Sequence, residues 1–173
     1  MIDRVWRALK SFKRGIMKQV NIILGFRNTE KLQKRDFRAK LVSLWTRSKY
    51  CHIKVFFDQI CIQATLDGVK ISEVTYKDLH DEEYDYVNIN DIMMTIDQYN
   101  QILRFFDYIK GAKYDWMQII FTHFIKLNED HLSKWTCSEL ATKILQLCFV
   151  ENVLFLRASA TTPKDLAKIF GLE

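Results

Sequence analysis

The spacing of apolar and polar residues in the first third of the chain predicts a helix, a strand and a second helix. Residues 2–18 place large apolar side chains at helical intervals with Arg and Lys between them, which predicts an amphipathic helix. Such a helix is typical either of a membrane interface or of the surface of the domain's own core. Residues 20–26 form an apolar run that predicts a buried strand, and residues 29–47 return to helical spacing.

The middle of the chain has the pattern of a β-sheet. Residues 52–57, 60–66 and 69–76 are three apolar or alternating runs of strand length. The dipeptide Asp58-Gln59 separates the first two runs as a tight turn, and Asp67-Gly68 is a hairpin signal between the second and the third. These runs therefore predict three neighbouring strands.

The remaining residues predict one more strand and a series of helices. The acidic run 78–85 predicts an exposed loop, and residues 85–89 predict a fourth strand. Asn90-Asp91 is a candidate cap for the next helix, and Thr162-Pro163 is a typical start for the last one. The predicted helices cover residues 95–109, 116–127, 136–148 and 163–170. Because the strands are grouped in the middle and helices follow them, the predicted fold class is α+β.

Composition supports a single globular domain. The 173 residues are 49% apolar and 27% charged, with five Gly and one Pro, which excludes a collagen-like or low-complexity chain. No apolar run is long enough to cross a membrane. We predict a basic N-terminal helix over residues 1–19 and one domain over residues 20–173. Without a signal-peptide pattern or a C-x-x-C pair, the four cysteines are expected to be reduced thiols in the cytoplasm.

Charge is distributed unevenly along the chain. Residues 1–50 hold 14 Lys or Arg and 3 Asp or Glu, whereas residues 51–173 hold 12 and 18. The basic part is either a solvated face or a surface that meets phosphate, on an anionic membrane or on nucleic acid. Nucleic acid is the less favoured partner, because the basic residues do not alternate with stacking aromatic residues.

Three polar residues in otherwise apolar surroundings are candidates for chemistry. Cys137 falls in the first turn of a predicted helix, where the helix dipole and free N–H groups lower a thiol pKa and can hold an oxyanion. His52 begins an apolar strand and is a candidate base, and Gln63 on the next strand has a carbonyl oxygen that can orient an imidazole. The alternatives are a small buried thiol, a structural histidine and an edge residue that faces solvent.

Four short motifs follow one another along most of residues 20–170. They are Tyr50-Cys51-His52-Ile53 with Ile62-Gln63-Ala64 and Gly68-Val69, then G-x-x-Y-D at 111–115, C-S-E-L at 137–140 and T-P-x-D-L at 162–166. Together they resemble the circularly permuted NlpC-like cysteine hydrolases of the papain-like fold, especially YiiX/YebB-like proteins and the lecithin–retinol acyltransferase-like group. The resemblance implies a small antiparallel sheet packed against the helix that bears the cysteine.

The resemblance also implies a role for each residue of the site. Cys137 would be the nucleophile, His52 its base and later the acid, and Tyr114 a hydroxyl donor near the oxyanion. Gln63 would occupy the orienting position that relatives fill with Glu or His, and as a neutral amide it cannot stabilise an imidazolium by charge. The first strand departs from the family pattern as well, since residues 20–23 read VNII where relatives often carry Gly-Asp. No metal and no organic cofactor is implied.

These observations lead to two functional hypotheses. The first is a thiol hydrolase or acyltransferase that acts on an amide, ester or thioester through a thioester acyl-enzyme. Its substrate would be a peptide, an acyl group or a cell-wall-type compound, the last requiring delivery by another route such as a phage particle. The second is a catalytically silent papain-fold binding module that docks on an anionic membrane or a protein partner through residues 1–19. In both cases the protein is expected in the cytoplasm, with the possibility of peripheral attachment to a membrane.

Overall fold

A computed structural model describes residues 17–33, 36–115 and 134–173 of the chain. Five strands form an antiparallel sheet in the order β4-β3-β2-β1-β5. Their bounds are β1 (Met17–Asn28), β2 (Tyr50–Phe57), β3 (Ile60–Thr65), β4 (Gly68–Glu73) and β5 (Tyr84–Thr95). Two further short strands, β6 (Lys113–Tyr114) and β7 (Lys134–Trp135), pair in parallel beside it.

The described part of the chain also contains five α-helices and two short 3-10 turns. The helices are α1 (Phe37–Thr46), α2 (Tyr76–Leu79), α3 (Ile96–Ile109), α4 (Cys137–Leu147) and α5 (Pro163–Ile169), and the 3-10 turns are Glu151–Val153 and Ala158–Ala160. The predicted α+β class is therefore confirmed. No helix in these ranges is long and apolar enough to cross a membrane.

The core lies on one face of the sheet because side chains alternate between the two faces of a strand. On β1, Val20, Ile22, Leu24 and Phe26 are buried to 1% exposure or less. They form one cluster with the apolar residues of β2 and β3 and with buried side chains of α3, α4 and α5. The opposite face carries polar residues, including Arg27 of β1, and α1 packs on β2 near this end of the sheet.

Most predicted strands are present, and two of them are longer than the sequence indicated. The run at 20–26 is the middle of β1, and the run at 85–89 is the middle of β5, which pairs with β1 over most of its length. The predicted helix over 2–18 lies outside the described residues except for Met17 and Lys18, which belong to β1. The helix predicted over 116–127 lies outside them entirely. Within 29–47, the structure has helix only from Phe37.

Asn90-Asp91 does not cap a helix. Both residues lie inside β5, where the register with β1 shifts between Val20 and Ile22, and Asp91 has a positive φ of 62°. Such a shift is a β-bulge, and Asp tolerates the left-handed conformation better than most residues. The true cap of α3 is Thr95, whose Oγ1 accepts a hydrogen bond of 3.2 Å from the N–H of Gln98.

The acidic run 78–85 is not simply an exposed loop. The run begins within α2 and ends in β5. The strand predicted over residues 69–76 is β4, and it ends before Tyr76 because α2 begins there. The carboxylate of Asp85 accepts hydrogen bonds of 2.9 Å from Nδ2 of Asn28 and from the hydroxyl of Tyr50, and it forms an ion pair with Lys31. Polar partners on β1 and β2 therefore draw this end of the acidic run onto the sheet.

Candidate active site

His52 and Gln63 form a side-chain pair across two neighbouring strands. Lys54 of β2 lies opposite Gln63 of β3, so Gln63 is diagonal to His52 on the same face of the sheet. The Nε2 atom of His52 lies 3.4 Å from Oε1 of Gln63. Because a carbonyl oxygen only accepts, Nε2 carries the proton in this contact and Nδ1 is left as the basic nitrogen.

The surroundings of His52 favour the neutral imidazole. Burial lowers the pKa of His52 to about 4, the bond to Gln63 works to raise it, and the nearby charges of Arg27 and Lys54 lower it further. A protonated ring would lie among two cations without a carboxylate of its own. At neutral pH the side chain is therefore a proton acceptor.

Cys137 is the first residue of α4, and its position is fixed by the helix cap. Oγ1 of Thr136 accepts a hydrogen bond of 3.2 Å from the N–H of Glu139, and Glu139 returns a contact of 3.4 Å to the N–H of Thr136. This capping box holds the first turn rigidly. The thiol faces the protein interior, since Cys137 is only 5% exposed.

Hydrogen-bond donors near the thiol of Cys137 work to lower its pKa. They are the hydroxyl of Tyr114 and the backbone N–H groups of Ile53 and Ser138. Burial raises the pKa of the Cys137 thiol, and these donors oppose burial without overcoming it. The N–H group of Ser138 at the helix start does work to lower this pKa, as predicted, but the desolvation of a buried thiolate outweighs it, so the net shift is upward.

The contact with Ile53 brings Cys137 to the strand that carries His52. The ladder between β2 and β3 ends at Lys54 and Gln63, one residue before Ile53 would pair. The N–H of Ile53 instead meets the sulfur of Cys137. The thiol thus lies at the point where β2 and β3 separate, next to the residue that follows His52.

Tyr114 reaches the thiol from the separate two-stranded sheet. It lies on β6 and pairs with Trp135 of β7, two residues before Cys137. Burial raises the pKa of Tyr114, and the adjacent Cys137 raises it further, so its hydroxyl remains a donor.

The position of β6 depends on a close approach at Gly68. The N–H of Val69 donates a 2.8 Å hydrogen bond to the carbonyl of Ala112, and the N–H of Gly111 donates a 3.0 Å bond to the carbonyl of Val69. Gly68 has a φ of 111°, and a Cβ there would lie 2.7 Å from the carbonyl oxygen of Ala112. Glycine is therefore required for the contact that positions the strand of Tyr114.

Three of the four predicted site residues line one cleft of about 640 Å³. These residues are His52, Gln63 and Tyr114. Cys137 does not line the cleft, and it is reached through its contacts with Tyr114 and Ile53. The structure thus pairs His52 with Gln63 and Cys137 with Tyr114. The backbone of β2 connects the two pairs, because Ile53, which contacts Cys137, follows His52 in the chain. Gln63 is half-buried and faces this cleft, so it is not an edge residue directed only at solvent.

Sequence reasoning missed the charged residues around this cleft. The guanidinium of Arg27 donates to Glu83 through Nε and Nη2 at 3.0 and 2.9 Å, and to Asp36 through Nη1 at 2.9 Å. Asp36 also accepts a 3.1 Å bond from the N–H of Ala39 at the start of α1. This network fixes α1 over one side of the cleft. The alternation of Arg27 with apolar residues in the first strand was the available signal.

Lys54 is the second missed cation. Its side chain is 5% exposed, and its ammonium lies 3.8 Å from the ring centre of Tyr84 and 3.7 Å from the carboxylate of Asp81. Aromatic faces and one carboxylate compensate for its burial. The sequence places Lys54 two residues after His52, and therefore on the same face of β2.

Within residues 17–33, 36–115 and 134–173, no three His, Cys, Asp or Glu side chains are grouped so as to hold a metal ion. Comparison of the chain with models of protein families, with curated proteins and with solved structures finds no match in any of the three. Functional reasoning therefore depends on the geometry of the site.

Proposed function

We propose that the protein is a cysteine-dependent hydrolase or acyltransferase with a permuted NlpC-like, papain-like site. The observation that carries the proposal is that Tyr114, the N–H of Ile53 and the first turn of α4 meet at the sulfur of Cys137, while His52, whose ring contacts Gln63, is the residue before Ile53 on β2. A buried structural thiol does not require this set of donors.

The proposed reaction begins with proton transfer from the thiol. With Nε2 of His52 bonded to Gln63, Nδ1 takes the proton of Cys137 as the sulfur attacks the carbonyl carbon of the substrate. The S–C bond forms, and the electron pair of the carbonyl moves to its oxygen. The tetrahedral intermediate then collapses, the bond to the leaving group breaks, and His52 returns the proton to that group. Water or another acceptor then attacks the thioester carbonyl and gives its proton to His52, the C–S bond breaks, and His52 returns the proton to the sulfur of Cys137.

The donors around the thiol have a second use in this scheme. The N–H of Ser138 at the start of α4 and the hydroxyl of Tyr114 contact the sulfur in the resting state. Proton transfer gives the sulfur negative character, and its bond to carbon then removes that character, so the same donors become available to the oxyanion that forms beside it. Tyr114 suits this role because burial keeps its hydroxyl protonated.

The resting site holds a neutral thiol and a neutral imidazole. Burial raises the pKa of Cys137 and lowers that of His52, so a stable thiolate–imidazolium pair is not expected before substrate binds. Proton transfer and attack on the carbonyl would then occur together. The burial of Cys137 also favours a second candidate function, a catalytically silent papain-fold module in which the thiol never reacts.

Acylation by an activated ester distinguishes the two functions. The full chain is incubated with p-nitrophenyl acetate, and the acetylated peptides are quantified by mass spectrometry. Cys148 serves as the internal control, because it is equally buried at 4% exposure and burial raises its pKa to about 12. The proposal expects rapid acetylation of Cys137 and slow acetylation of Cys148. His52→Ala should slow the first reaction by roughly 100-fold or more and leave the second unchanged.

Acetylation of Cys137 at the rate of Cys148, and unaffected by His52→Ala, would contradict the proposed hydrolase and support the silent module. Turnover of the ester by Cys137→Ser at the rate of the unaltered chain would contradict it as well, because hydrolysis would then not pass through this thiol.

A further inference from the structure

We infer that α1 is a docking helix for an anionic lipid surface. Its outward face carries Phe37, Leu41 and Leu44, which are 76%, 36% and 78% exposed. These residues are spaced by four and three positions and therefore form one stripe along the helix. The inference goes beyond the proposed function, because it does not depend on any chemistry at Cys137.

Among the side chains of α1 that the structure describes, the distribution is the reverse of that on an ordinary surface helix. The described residues directed at the sheet are small, with Ala39 buried and Val42, Ser43 and Thr46 half-buried. The larger apolar residues Phe37 and Leu44 face outwards. A surface helix usually buries its large apolar side chains and exposes polar ones. An exposed stripe of this kind marks an interaction surface.

Charge identifies the kind of partner. The exposed residues Lys40 and Arg47 flank the stripe, and Nζ of Lys164 donates a 2.9 Å hydrogen bond to the carbonyl of Arg47, which adds a cation at the end of α1. Apolar side chains bordered by cations are the composition of helices that lie in the interface of an anionic membrane. Phe37, Leu41 and Leu44 would enter the acyl boundary, and Lys40 and Arg47 would contact the phosphates.

Two other occupants fit this face less well. A second copy of the chain would bring α1 against α1 in a symmetric pair, and Lys40 and Arg47 would then meet cations of the same kind. Residues 1–16 carry five Lys or Arg and one Asp, so they would also bring positive charge to a positive face.

Docking through α1 would orient the candidate active site. Phe37 belongs both to the exposed stripe and to the lining of the cleft that contains His52 and Gln63. Contact of the stripe with a bilayer therefore places the mouth of the cleft at the lipid surface.

Vesicle flotation of the full chain tests the inference. The vesicles contain either phosphatidylcholine alone or an equal mixture of phosphatidylcholine and phosphatidylserine. We expect binding to the mixed vesicles, much weaker binding to the neutral ones, and a loss of about tenfold or more in the double variant Phe37→Ser/Leu44→Ser. Lys40→Glu/Arg47→Glu should weaken binding to the mixed vesicles and reduce its sensitivity to salt. Cys137→Ser should bind as the unaltered chain does, which separates docking from the proposed reaction.

Phe155→Ser is the matched control, because Phe155 is 98% exposed and lies outside α1, after the first 3-10 turn. Equal loss of binding in this variant and in Phe37→Ser/Leu44→Ser would overturn the assignment to α1. Equal binding to neutral and mixed vesicles would overturn the choice of an anionic surface.

Two solution measurements complete the test. Both substituted residues of the double variant are more than three-quarters exposed, so its melting temperature should match that of the unaltered chain. A large drop would mean that another part of the chain covers the stripe, and it would overturn the inference. Sedimentation should show a monomer, and a dimer that the double variant dissociates would assign the stripe to a second copy instead.

Discussion

The ring nitrogen Nε2 of His52 lies 3.4 Å from Oε1 of Gln63, so the side chain that orients this histidine is a neutral amide. An amide holds the ring in place but adds no charge. Replacing Gln63 by Glu should therefore raise the pKa of His52 from about 4, because a carboxylate stabilises the imidazolium. Titration of the ring protons by NMR measures the shift. Gln63→Ala should lower the pKa instead, and equal values in both variants would show that the contact does not form.

The buried neutral His52 should make stability depend on pH. Its pKa is depressed in the folded state to about 4 from an ordinary value of 6.5, so the unfolded chain binds the proton more readily. The free energy of unfolding should be highest above pH 6.5 and fall by about 1–3 kcal/mol as the pH drops to 4. Urea unfolding of the unaltered chain and of His52→Gln measures this contribution. If His52 is already protonated in the folded protein, the free energies of unfolding of the two proteins will depend on pH in the same way.

The thiol of Cys137 should react with iodoacetamide slowly at pH 7 and rapidly only at alkaline pH. The reason is that burial raises its pKa and the donors around it do not reverse the shift. Tyr114→Phe removes one of these donors and should slow the reaction further at a given pH. Peptide mass spectrometry follows the labelling, with Cys148 as the thiol that the substitution leaves unchanged. Fast labelling of Cys137 at pH 6 would mean that a thiolate exists in the resting protein.

Gly68→Ala should destabilise the protein more than Gly111→Ala. Both glycines have a positive φ, of 111° and 78°, so each substitution introduces backbone strain of about 1 kcal/mol. Only at Gly68 would the new Cβ meet a neighbour, the carbonyl oxygen of Ala112 at 2.7 Å. We expect an additional loss of roughly 1–3 kcal/mol from this overlap. Urea unfolding of the two variants compares them directly, and equal losses would show that the close approach is absent in solution.

Asp85→Asn should lower the free energy of unfolding by about 1–3 kcal/mol at pH 7. Burial works to raise the pKa of Asp85, but hydrogen bonds from Lys31, Asn28 and Tyr50 outweigh it and lower the pKa. The carboxylate therefore stabilises the fold above the ordinary pKa of an aspartate, and this stabilisation is lost as the pH falls through the lower folded value. Asp67→Asn is the control, since Asp67 is itself exposed and its hydrogen bond is to exposed Lys70. An unchanged stability of Asp85→Asn from pH 3 to pH 7 would contradict this account.

Local patterns in the sequence predicted the elements that carry the candidate site. The run that begins at His52 is β2, the run that contains Gln63 is β3, and Thr136 caps the helix that begins at Cys137. Each of these follows from residues close together in the chain, namely period-two alternation and a capping box. The pairing of His52 with Gln63 followed from the short turn between the strands.

Features that depend on contacts between residues far apart in the sequence could not be predicted from local patterns. The bulge at Asp91 requires the register between β1 and β5, and the partners of Asp85 come from three other segments. The balance at Cys137 between burial and donor groups likewise depends on residues from β2 and β6. The helical spacing of residues 29–47 predicts α1 but not its exposed stripe, because spacing alone does not show which side of a helix meets the sheet.

The contacts of the site differ in how far along the chain their partners lie, and this sets the order in which the site can form. His52 and Gln63 are 11 residues apart on a hairpin, a contact of low loop-closure entropy. Cys137 meets Ile53 only where α4 packs on β2, a contact between segments far apart in the chain. We therefore expect the base and its orienting partner to come together early in folding, and the nucleophile to join them in a later step that depends on long-range contacts.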